Sequence, residues 1–182
     1  MKKLRFLVTF LGLFAVLLGM WKLSAATQWF TEALLLLAGA IGPLLHGWVL
    51  TNPAGSAAPV WVHGSAQVQA ALQYDALSVG LVPALALLGA TPGLRLRRRA
   101  TLMLIGAVLC LLIDTLILAL FPLLVFYKNP FTDVAGTFLG LIAFVGAPVI
   151  IWFTLTFREL QTLLPSFRQR PLPPPRHPGA LR

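Results

Sequence analysis

Residues 101–127 read TLMLIGAVLCLLIDTLILALFPLLVFY, and this stretch decides the fold. It is a run of twenty-seven residues with a single charge, Asp114. As a helix it would extend about 40 Å, against about 30 Å for the hydrocarbon core of a bilayer. It is therefore long enough to cross with tilt. Directly before it stands Arg95-Leu96-Arg97-Arg98-Arg99, four arginines in five residues. Such a cluster beside an apolar run marks the cytoplasmic end of a span.

The rest of the chain agrees. Of its 182 residues 58% are hydrophobic and 10% charged, whereas a soluble domain carries about 25% charge. Lipid must cover most of the surface, which leaves helices or a closed barrel. The apolar runs are long and leucine-rich, not ten-residue alternations, so the fold class is all-α and polytopic. The formal net charge of +9 is no sign of nucleic acid, because the basic residues flank apolar runs. One cysteine, Cys110, excludes an intrachain disulfide, and no Cys/His spacing suits a metal. No phosphate-binding loop, dinucleotide fingerprint or zincin helix occurs, so no cofactor is expected.

Working outward, the expected spans are 6–21, 76–90, 101–127 and 134–157. The first follows Lys2, Lys3 and Arg5. Ser24-Ala25-Ala26 imitates a signal cleavage site, but the apolar stretch is long and Lys22 intrudes, so an uncleaved anchor is expected. The second ends at the turn Thr91-Pro92-Gly93, and Pro148 should kink the last. A weaker apolar segment, 29–50, holds Glu32, Gly39, Gly42, Pro43, His46 and Gly47, and suits an interfacial or re-entrant helix. Residues 51–73 form a polar loop in which Val60-Trp61-Val62, Gly64 and Gln67-Val68-Gln69 predict a short hairpin. Residues 158–182 form a basic, proline-rich tail.

Orientation decides how 29–50 lies. An inner N-terminus and an outer 51–73 loop require an odd number of crossings, yet two segments precede that loop. One must not cross, and 29–50 is the weaker. The membrane domain 1–157 is then four spans plus an outer-face interfacial or re-entrant helix. Twelve of fourteen Lys/Arg fall inside: positions 2, 3, 5, 95, 97, 98, 99, 158, 168, 170, 176 and 182. Both termini are cytoplasmic, in what reads as a bacterial inner membrane.

Five carboxylates occur: Glu32, Asp75, Asp114, Asp133 and Glu159. Asp114 sits thirteen residues into its run, near the expected midplane, where an Asp costs roughly 2.5–3.5 kcal/mol on insertion scales. It is either a proton, ion or partner site, or a group hydrogen-bonded to Thr115 or another hydroxyl. Cys110, one turn before it, reads as a packed small hydrophobe. Asp75 and Asp133 fall at outer mouths of segments, either as a polar cluster with Lys128 and Glu32 or as ordinary interface residues or helix caps. His46 and His63 lack the carboxylate pattern of a metal site. The tryptophans, with Tyr74 and Tyr127, mostly fall near segment ends, as an aromatic belt does. Gly136-Thr137-Phe138-Leu139-Gly140 offers a small-residue surface for close helix packing.

Val60-Trp61-Val62-His63-Gly64, then Ala71-Leu72-Gln73-Tyr74-Asp75-Ala76-Leu77, then Ala90-Thr91-Pro92 with Arg97-Arg98-Arg99, give residues 28–155 a layout that resembles the exosortase/archaeosortase group. Those are membrane-embedded transpeptidases, with small proteins encoded beside them. The resemblance implies a nucleophilic Cys near Tyr74-Asp75, an Arg near Asp114 and a His near Thr132-Asp133. All three are missing, so it implies a non-catalytic relative or an associated protein.

The sequence thus points to a non-enzymatic accessory or structural subunit of a larger membrane assembly, in contact with lipids and other membrane subunits and not with nucleic acid. The rival readings are a small transporter or proton-linked enzyme using Asp114, and a divergent exosortase-like peptidase.

Overall fold

In the computed structural model, with residues 2–51, 58–69, 80–126 and 130–163 described, the chain is a helical bundle with a three-stranded sheet at one end. The helices are α1 (Lys2–Leu23), α2 (Ala26–His46), α3 (Leu81–Ala90), α4 (Leu96–Phe126), α5 (Pro130–Leu141) and α6 (Ala147–Leu163). A π-helical turn, Ile142–Gly146, joins α5 to α6 without a break. Among the described residues three helices are long and apolar enough to cross a membrane: Leu4–Leu23, Ala26–His46 and Leu96–Phe126. The molecule is thus mostly helical and compatible with a membrane, as its composition predicts.

α3 is the helix the others wrap. It carries no polar side chain, and Leu81, Val82, Ala84, Ala86, Leu88, Gly89 and Ala90 are all buried. α1, α4 and α6 pack around it. Small residues at the contact permit this: a Cβ on Gly106 of α4 would stand 2.5 Å from Leu88 Cδ1 of α3. Leu13 of α1 and Met103 of α4 both approach Gly89, which sets those helices level at that point.

One end of the bundle is basic. Phe6 of α1 stacks on Trp152 of α6 at 6.0 Å, and Trp152 Nε1–H donates to Thr91 Oγ1 at 2.9 Å. Arg99 donates to the Thr91 carbonyl at 3.2 Å, and Arg98 pairs with Glu159 of α6 at 2.6 Å. The start of α1, the start of α4 and the end of α6 therefore meet, bringing Arg5, Arg95, Arg97, Arg98, Arg99 and Arg158 to one side.

The sheet lies at the other end of α4, where Trp48 meets Phe126 at 5.4 Å. It is an antiparallel meander of β1 (Val49–Thr51), β2 (Val60–His63) and β3 (Ala66–Gln69). The expected hairpin is present, with Trp61 opposite Val68 and His63 opposite Ala66. Its turn is Gly64-Ser65, with φ +59° at Gly64 alone, the geometry of a type II′ turn. β1 was not foreseen, because three residues are too short for periodicity to register. Trp61 and Val68 share the face turned to the helices and pack with Leu34, Ala38, Trp48 and Leu118. Trp48 and Trp61 are buried here, and so correct the expectation that they join an aromatic belt.

α2 does not return to the basic end. A short turn leads from α1 into it, and Trp21 packs edge-on against Phe30 at 5.7 Å. Phe30 joins the cluster of Leu81, Ala84, Cys110 and Ile151, while His46 Nε2 lies 2.7 Å from the Ala119 carbonyl. About 24 Å of α2 thus accompanies about 14 Å of α4, which makes α2 oblique to α4. α1 begins at the basic end and α2 finishes at the sheet end, so the pair makes one net traverse.

Other boundaries differ in detail. The span expected at 76–90 is described as a helix from Leu81 only. α6 runs to Leu163, past the expected tail start at 158. The irregularity foreseen at Pro148 takes the form of the π turn just before it. Ala147 N–H bonds to the Ile142 carbonyl five residues back, and Pro148 has no N–H to restore the α pattern.

Candidate functional site

Asp114 stands on α4 about 22 Å from Arg99, at about 1.5 Å per residue. From the level of Gly89, nine residues of α1 lead from Leu13 to Lys22, and eleven of α4 lead from Met103 to Asp114. Asp114 therefore shares the depth at which the apolar part of α1 ends.

The carboxyl is half-buried, and its Oδ2 is fully shielded without a hydrogen-bond partner. Thr115 Oγ1 is also shielded and unpaired. Adjacent residues project about 100° apart on a helix, and Thr115 is buried where Asp114 is only half-buried, so the expected Asp114–Thr115 bond does not form. A buried unpaired polar atom costs about 1–3 kcal/mol, more for a charged group, which singles out Asp114 as the candidate site. The π turn lies at the same depth. Ile151 of α6 flanks Gly106, and eight residues back along α6 and forward along α4 arrive at position 143 and Asp114. Widened π turns recur at functional sites. Periodicity contains no signal for them.

Cys110, one turn nearer the basic end, is 3% exposed and packs with Leu81, Ala84 and Ile151. It fills space between α3, α4 and α6, as a small hydrophobe does.

His46 is the polar residue whose role sequence reasoning missed. Its Nδ1 accepts the Trp48 N–H at 3.1 Å, so Nε2 carries the proton and donates to the Ala119 carbonyl. Pro122, one turn on, has no N–H to offer the carbonyl of residue 118, which disturbs the α4 ladder where His46 docks. The ring also meets Trp61 edge-on at 5.6 Å. The available signal was the spacing Leu34, Ala38, Gly42, His46, one residue per turn along a single stripe of α2. His63 instead lies against Trp48 at 5.4 Å. Among the described residues no group of three or more His, Cys, Asp or Glu gathers as metal ligands would.

The outer polar cluster falls largely outside the described residues: Asp75 and Lys128 do, as does the Asp133 side chain. Asp133 itself lies inside the first turn of α5, which begins at Pro130, so it does not occupy the expected cap position. Glu32 is exposed on α2. Gly136, of the expected packing surface, is partly exposed. Val134, Phe138 and Leu141 form the exposed stripe of α5, and Gly136 projects roughly 160° away from it. A Cβ on Gly136 would meet nothing within 4 Å, and the surroundings of Gly140 lie outside the described residues.

Comparison of the chain with protein-family models, with characterised proteins and with solved structures finds no match.

Proposed function

We propose that this chain is a four-span protein of the bacterial inner membrane, basic end in the cytoplasm, serving as a non-catalytic accessory or structural subunit of a larger assembly. The single net traverse of α1 with α2 supports four crossings, the others being the segment ending in α3, then α4, then α5–α6. Gathering of the arginines at one end supports the orientation, since such residues are retained on the cytoplasmic side. The resemblance to the exosortase/archaeosortase group enters the proposal as that of a relative or associate without the nucleophile.

The observation that carries the proposal is the shielded, unpaired Oδ2 of Asp114. A polar atom in that state lacks a donor, and a donor from a neighbouring subunit would supply one. The test is purification in mild detergent of the wild type, Asp114→Asn and Asp114→Leu. Asp114→Leu should insert normally and lose a chain that the wild type retains, while Asp114→Asn, still able to accept a hydrogen bond, keeps it. Retention of every associated chain by Asp114→Leu would refute the subunit reading.

The π turn at the depth of Asp114 supports a second reading, a proton-linked transporter. It requires proton-coupled flux into vesicles that Asp114→Asn abolishes without altering assembly.

A further inference from the structure

The basic end holds a groove that the bundle's packing does not use. Its volume is about 640 Å³, within the range of ligand pockets, and it is lined by Gly93, Arg95, Arg97, Arg98, Thr101 and Glu159. Three guanidiniums face one carboxylate there. Arg98 gives one nitrogen to Glu159, yet its side chain is 52% exposed, so further donors remain open. Arg95 and Arg97 are exposed. Thr101 turns its hydroxyl back to the Arg97 carbonyl at 3.0 Å and leaves the donating to the arginines.

Two further features sharpen the ligand's chemistry. The first backbone bond of α4 runs from Arg99 N–H to the Arg95 carbonyl, and no acidic residue stands in the first turn. The N–H groups of that turn add to the positive field of the arginines. The rim, in contrast, is apolar: Leu94 lines the groove and Leu96 beside it is 81% exposed. A free anion has no use for an exposed leucine. An amphiphile does, because its acyl chains cover Leu96 while its charged group enters the groove. The depth agrees, since α1 and α4 leave their apolar stretches at this level.

We propose that this groove holds the phosphate group of an anionic phospholipid, with Arg95, Arg97 and Arg98 as donors. The guanidinium fork matches a phosphate in two-point contact.

The test uses the full-length protein released from mixed micelles and titrated with phosphatidylglycerol or phosphatidylcholine, with retained lipid counted by native mass spectrometry. Phosphatidylglycerol should be retained at concentrations where phosphatidylcholine is not. Arg95→Gln with Arg97→Gln spares the Arg98–Glu159 pair and should weaken retention more than roughly tenfold, from the loss of two charge-assisted contacts to the phosphate. Lys2→Gln with Lys3→Gln removes the same charge elsewhere and should leave retention near wild type. Equal loss in both double variants would reduce the effect to diffuse attraction and overturn the proposal. So would equal retention of the two lipids. A third arm adds inorganic phosphate: displacement of the lipid at comparable concentration would make free phosphate the ligand and refute the lipid assignment.

Discussion

Gly42 is where the sheet is seated on the helices, and substituting it measures how tightly. A Cβ at this position would overlap the far edge of the Trp61 ring, which is fully buried between α2 and the sheet-end core. Gly39, one turn earlier on the same helix, is the control: its Cβ would meet only Leu50, at 3.8 Å, an ordinary contact. Glycine to alanine inside a helix gains up to about 1 kcal/mol in propensity, and that gain is common to both sites. At Gly42 it is opposed by overpacking, about 1–3 kcal/mol for an added methyl in a filled core. The difference between Gly42→Ala and Gly39→Ala should therefore be about 1–3 kcal/mol, with Gly42→Ala the less stable. Thermal unfolding of the detergent-solubilised protein, followed by tryptophan fluorescence, gives the ranking. The cycle closes with Trp61→Leu. That change alone should destabilise, since truncating a large buried aromatic costs about 3–5 kcal/mol to alanine and less to leucine. In its presence Gly42→Ala should lose its penalty. Equal effects at 39 and 42, or a penalty at 42 that persists without the indole, would refute the seating of Trp61 on α2.

The arginine-end and sheet-end surfaces should label oppositely. In a Cys110→Ser background, Ser65→Cys in the hairpin turn should react with an impermeant thiol reagent on intact cells, and Leu96→Cys only after lysis; the reverse pattern inverts the orientation. His46→Ala strands the Trp48 N–H and the Ala119 carbonyl and should lower stability by about 1–3 kcal/mol. His46→Gln, whose amide N–H can still reach Ala119, should recover part of that, and equal losses for the two variants would remove the α2–α4 tie from the account.

Much of the fold was legible in the sequence because lipid imposes a simple code. Long apolar runs gave α1 and α4, the arginine cluster gave the basic end, and Gly64 between short apolar runs gave the hairpin. The geometry of α2 was less accessible. Its obliqueness depends on His46 meeting Ala119, a contact across seventy-three positions that no local pattern encodes. The level that Asp114 shares with the end of the apolar part of α1 was equally illegible, because it depends on Leu13 and Met103 meeting at Gly89. Burial was the other blind spot. Trp48 and Trp61 stand near segment ends, as belt residues do, and only the sheet folding over them makes them core. Thr91, a turn residue by sequence, becomes a junction of three elements through its hydroxyl and carbonyl, because α6 happens to present Trp152 there.

The π turn at Ile142–Gly146 has a consequence for how this chain can vary. Removing one residue from an α-helix rotates everything beyond it by about 100° and turns lipid-facing positions inward. A π turn already carries one residue more than the α pattern needs. A single deletion there would let the helix relax to regular form and leave both flanks in phase, with Val134 and Phe138 still outward and Ile151 and Thr156 still inward. Along the whole stretch from Pro130 to Leu163 it is the point where length is free to change by one.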